Sequence, residues 1–63
     1  MSHLWEPLDN GFVLKNSAGD ILTVIVPRAE PTAGWWFRDW SWPTLEECQA
    51  AVEDYFARRG LLI

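Results

Sequence analysis

Hydrophobic and polar positions change their period along this chain. The stretch Gly11 to Asn16 (GFVLKN) mixes apolar and polar positions over a strand's length. Ile21 to Val26 (ILTVIV) is dominated by β-branched residues and is the strongest strand signal. Between them, Ser17-Ala18-Gly19-Asp20 suits a hairpin loop, with Gly19 free to take positive φ. Pro27 lacks the amide that a ladder needs, so it predicts the end of that strand. Residues 28–33 contain Pro31 and small side chains and read as a longer loop. Gly34 to Trp42 (GWWFRDWSW) reads as a third strand. Its alternation sends Trp35, Phe37, Asp39 and Ser41 to one side, and Trp36, Arg38, Trp40 and Trp42 to the other.

After Trp42 the period becomes helical. Leu45, Cys48, Val52, Tyr55, Phe56 and Arg59 recur on one stripe with Ala51 beside them, while Glu46, Gln49, Glu53 and Asp54 lie largely away from it. The start is marked by Thr44-Leu45-Glu46-Glu47, a capping box with acids in the first turn to suit the helix dipole. The end is marked by Arg58 and Arg59 in the last turn and by Gly60 as the residue after the cap. Leu61, Leu62 and Ile63 are expected to fold back on the body. Residues 1–10 read as an irregular arm. Pro7 disfavours helix at Glu6, Asp9-Asn10-Gly11 forms a turn, and Leu4, Trp5 and Leu8 pin the arm.

The expected architecture is α+β, one domain over residues 1–63. It comprises a three-stranded antiparallel β-meander (residues 11–42) packed against one C-terminal α-helix (44–59), in the order β-β-β-α, with a tail at 60–63. One helix covers one face of such a sheet and leaves the other open. The preferred parity places Phe12, Leu14, Leu22, Val24, Val26, Trp35 and Phe37 under the helix. The open face then carries Val13, Lys15, Ile21, Thr23, Ile25, Trp36, Arg38 and Trp40. A slip of one residue in the third strand would bury Trp36, Trp40 and Trp42 instead.

Composition narrows the chemistry. At 63 residues, 49% hydrophobic and 14% aromatic, the chain is one small domain whose core must be dense or completed by a partner. Five tryptophans fit that need, since each buried aromatic removes roughly 150–250 Å² from water. The single cysteine excludes an internal disulfide, and Cys48 with His3 falls short of the four ligands of a structural zinc site. Cys48 reads as a small buried hydrophobe. No phosphate loop, metal-spaced cluster or nucleophile with a neighbouring base is present, so no enzyme activity and no cofactor are expected. No apolar run spans a bilayer and the first residues do not form a signal peptide, so no membrane partner and a cytoplasmic location are expected.

The net charge of −4, with a single lysine, disfavours a phosphate-backbone binder. Element order is similar to that of small three-stranded DNA-binding domains of the integrase-arm type, although no motif matches. Tryptophan and arginine are the residues of protein-interface hot spots. Trp36, Arg38, Trp40 and Trp42 are therefore the candidate contact anchors for a protein partner. Glu46, Glu53 and Asp54 are the candidate electrostatic contacts. The functional expectation is a non-enzymatic protein-binding module. In its sharper form it is similar to small acidic phage or mobile-element inhibitors, of the anti-defence or anti-CRISPR-like kind, that occupy the surface of a host nucleic-acid-handling protein. The alternatives are a single-stranded nucleic-acid binder using the tryptophan-rich sheet face and a homo-oligomeric structural domain, a homodimer included.

Overall fold

A computed structural model of the chain describes residues 5–62. It is an α+β fold with five strands rather than three: β1 (Trp5–Leu8), β2 (Gly11–Lys15), β3 (Ile21–Arg28), β4 (Gly34–Phe37) and β5 (Trp40–Trp42), followed by α1 (Leu45–Arg58). Each strand is antiparallel to the next, and the sheet order is β1-β2-β3-β4-β5.

Two of the five strands come from segments read otherwise. The expected N-terminal arm contains β1, in which Glu6 pairs with Val13 and Trp5 with Leu14. Pro7 is tolerated because β1 is an edge strand, where a missing amide breaks no central ladder. Trp5 packs against the core, whereas Leu8 is largely exposed; Leu4 lies outside the described residues. The expected third strand is a hairpin. Arg38 and Asp39 form a two-residue turn between Phe37 and its partner Trp40, with Arg38 at φ 58°. Asp9 occupies the same place in the β1–β2 turn at φ 37°. Pro27 does not end β3, which runs on to Arg28 and pairs there with β4. By that point β2 has ended, so Pro27 has a neighbouring strand on one side only.

The helix follows its signals closely. Thr44 is the N-cap and accepts a hydrogen bond from the Glu47 amide at 3.2 Å. At the other end the Gly60 amide donates to the Ala57 carbonyl, and the Leu61 amide donates to that of Phe56, both at 3.0 Å. With Gly60 at φ 70° this is a Schellman cap. The tail then returns to the sheet: Leu62 packs against the core, and its carbonyl accepts from the Ser17 amide at 3.2 Å. Leu61 stays exposed, and Ile63 lies outside the described residues.

The core is Leu14, Ile25 and Phe37 from the sheet against Cys48, Val52 and Phe56 from the helix, the last three at successive turns of one face. This corrects the parity of β3. Ile25 is fully buried under the helix, while Val24 is exposed and faces away with its cross-strand partner Val13. Val26 also faces away, paired with Trp36. The cause is a register shift between Leu14 and Lys15, where Leu22 is the extra residue on β3. The bulge lets Leu22 pack on the core together with the residues of opposite alternation. Trp35 and Phe37 lie on the helix side as expected. Gly11 marks a close approach: a Cβ there would stand 2.3 Å from the Ile25 carbonyl oxygen.

Candidate functional site

Hairpin geometry redistributes the expected anchors between two faces. Trp35 pairs with Trp42 and Phe37 with Trp40, so Trp40 and Trp42 share the helix side of the sheet. Trp36 pairs with Ser41 and Val26 on the opposite side. The expected row of Trp36, Arg38, Trp40 and Trp42 along one strand face therefore does not form, because the turn at Arg38-Asp39 reverses the chain inside it. Trp36 is half-buried on the outer face. Its indole Nε1 donates to the Thr32 carbonyl at 3.0 Å, and the Arg28 guanidinium lies 5.7 Å from its ring centre. Both observations fit a side chain engaged within its own loop.

On the helix side the β4–β5 hairpin and the C-terminal half of α1 enclose a groove of about 210 Å³. One wall is Trp40 and Trp42; the other is Ala51, Asp54, Tyr55 and Arg58, with Phe37 and Arg59 completing the lining. Trp40 is 55% exposed, a large indole left open to solvent in the groove wall. Ala51 contributes no side chain beyond Cβ, and that absence of bulk opens the space between hairpin and helix.

Tyr55 organises the charged rim. Its ring meets Phe37 edge-on, with centroids 5.1 Å apart and planes at 73°. The Arg59 guanidinium stacks over it at 3.7 Å, and Arg38 approaches to 5.8 Å from the hairpin turn. Arg59 also donates from Nη1 to the Tyr55 carbonyl at 3.1 Å. Arg58 Nε donates to Asp54 Oδ2 at 2.7 Å along the exposed flank of the helix. Positive φ at Arg38 is what turns the chain so that this side chain reaches helix α1.

The acidic candidates do not form a common free patch. Glu53 accepts a hydrogen bond from the Trp5 indole, tying α1 to β1. Asp54 is paired with Arg58, and Glu46 sits exposed in the first helical turn. The expected site therefore overlaps the groove lining at Trp40, Trp42 and Asp54, with Arg38 outside it but within 5.8 Å of the Tyr55 ring. It missed Phe37, Ala51, Tyr55, Arg58 and Arg59. The helical stripe accounts for Tyr55 and Arg59 by burial, and the last turn accounts for Arg58 and Arg59 by the helix terminus, so neither signal marks a surface site. The available signal was their mutual spacing, since Tyr55 and Arg59 stand four apart and must neighbour one another on a helix.

Among the described residues no group of three or more His, Cys, Asp or Glu is placed to hold a metal ion. No helix is long and apolar enough to cross a membrane. Cys48 is fully buried, and burial pushes its thiol up to about 11. No family model matches this chain, and no curated protein or solved structure matches it.

Proposed function

We propose that this chain is a non-enzymatic protein-binding module whose contact site is the groove between the β4–β5 hairpin and α1. The observation that carries the reading is Trp40, a large indole more than half exposed at the lip of a concave, aromatic-walled space. Interface hot spots combine tryptophan, tyrosine and arginine around a pocket that a partner side chain desolvates, and this groove supplies all three. Its volume is below the roughly 300–1,000 Å³ of small-molecule sites. It suits one inserted side chain better than a substrate with surrounding catalytic groups.

The small acidic format is shared with inhibitors from phages and mobile elements that work by covering a partner's surface, and an inhibitory role is the sharper form of this proposal. The version in which acids imitate a nucleic-acid backbone draws less support, because Glu53 and Asp54 are engaged by Trp5 and Arg58. Occupation through the groove needs no such mimicry.

The test is affinity capture from the native lysate with nuclease-treated samples in parallel and Trp40→Ala as the control. A stoichiometric protein that survives nuclease and is lost with Trp40→Ala supports the module and identifies its target. Recovery that is unchanged in Trp40→Ala removes the groove from the reading. Recovery that disappears with nuclease removes the protein partner.

A further inference from the structure

The groove's surroundings carry information about the chemistry of its occupant. The chain has five basic residues in all: Lys15, Arg28, Arg38, Arg58 and Arg59. Lys15 is paired with Glu6 at 3.0 Å, on the sheet face away from the helix, and Arg28 lies over Trp36 on the same outer face. The remaining three gather around Tyr55. Among the described residues, neither ion pair uses Arg38 or Arg59. Two exposed guanidinium groups outside those ion pairs thus stand beside an aromatic-walled groove in a protein of net charge −4.

We infer that this groove takes an acidic peptide segment, in which one apolar side chain enters between Trp40, Trp42 and Tyr55 while neighbouring Asp or Glu side chains meet Arg38 and Arg59. The inference rests on the reading of the groove as a protein-docking site and specifies what docks there. Arg59 is stacked on the Tyr55 ring before any partner arrives, which lowers the entropy cost of presenting a planar fork to a carboxylate, and Arg38 lies 5.8 Å from the same ring. A basic segment would bring like charges against these two groups with only Asp54 in the wall to offset them. A nucleic acid fits less well. Stacking sites for single strands track several nucleotides along a positive groove, whereas this space of about 210 Å³ admits one side chain and has two guanidinium groups at one end of it rather than a basic track.

The experiment is selection of short random peptides displayed against the full-length protein, followed by affinity measurement on the selected peptides. Trp40→Ala, Arg38→Gln and Arg59→Gln serve as comparison proteins, each checked for native circular dichroism. The expected peptides depend on Trp40 and carry Asp or Glu beside an apolar residue. Each arginine variant should weaken them by roughly tenfold, the worth of one charge-assisted hydrogen bond, and added salt should weaken them further. Peptides that depend on Trp40 but are neutral or basic, or are indifferent to both arginine variants, overturn the acidic inference and leave the docking site standing. If no selected peptide depends on Trp40, both readings fall. A thymidine oligonucleotide is titrated alongside, and saturable binding of it in competition with the selected peptides also overturns the inference.

Discussion

Cys48 shows how strongly one position can be fixed by packing alone. It lies on the buried face of α1 between the turns of Leu45 and Val52, with no accessible surface, and burial raises its thiol to about 11. In the unfolded chain the same thiol ionises near its ordinary value of 9.0. The unfolded state therefore gains stability by losing the proton from about pH 9 upward, while the folded state keeps it. The contribution of Cys48 is complete below pH 9 and is lost as pH rises through about 11. The measurement is unfolding free energy against pH for the wild type and for Cys48→Ala. The wild type should lose stability relative to the variant between these limits, and parallel curves would show that the thiol is not buried as described. The same burial predicts that thiol reagents label Cys48 only through opening of the fold, so labelling should accelerate in step with denaturant-induced unfolding. This residue's role was legible from its place on an apolar helical stripe, because a helix's burial pattern repeats within one segment and needs no knowledge of partners.

Elements differ in how locally their boundaries are written. Helix α1 was legible nearly to the residue: Thr44 caps its start and Gly60 closes its end, and both signals lie within a turn of what they control. The hairpin between β4 and β5 was not legible. Its turn places Arg38 at φ 58° with no glycine or asparagine at either turn position, so the usual mark of a tight reversal is missing. Strand β1 was concealed by Pro7, whose cost depends on whether a strand is central or at an edge, and that is a property of the sheet rather than the segment. The local character of the cap gives a quantitative expectation. Thr44→Ala removes the acceptor for the Glu47 amide and should cost about 1 kcal/mol, within a typical span of roughly 0.5–2 kcal/mol, while Thr44→Asp should restore most of it. Urea denaturation of the three proteins checks this. A midpoint unchanged in Thr44→Ala would mean that tertiary packing alone sets the first turn.

At the scale of the whole molecule, the decisive quantity is which face of the sheet the helix covers, and there local reading fails for a definite reason. Alternation along β3 treats Leu22, Val24 and Val26 as one face. The bulge at Leu22 joins that residue to Ile25 beneath α1 and sends Val24 and Val26 outward. A bulge is settled by how two strands meet, so the residues of β3 alone do not announce it. The tryptophans are split by a second pairing of the same kind, the β4–β5 turn at Arg38-Asp39, which places Trp40 and Trp42 at the groove and Trp36 behind it. Two substitutions of the same kind read this directly. A domain of 63 residues holds roughly 3–9 kcal/mol of stability. Ile25→Ala opens a cavity beside Val52 and Phe56 and should cost about 2–5 kcal/mol, a large share of that reserve. Val24→Ala removes methyl groups that already face solvent and should cost no more than about 1 kcal/mol, through strand propensity alone. In denaturant titrations Val24→Ala should unfold cooperatively near the wild-type midpoint, and Ile25→Ala should unfold at a much lower denaturant concentration. The reverse order would mean that the helix lies over the other face, and the groove, whose walls come from the same face as Ile25, would not exist.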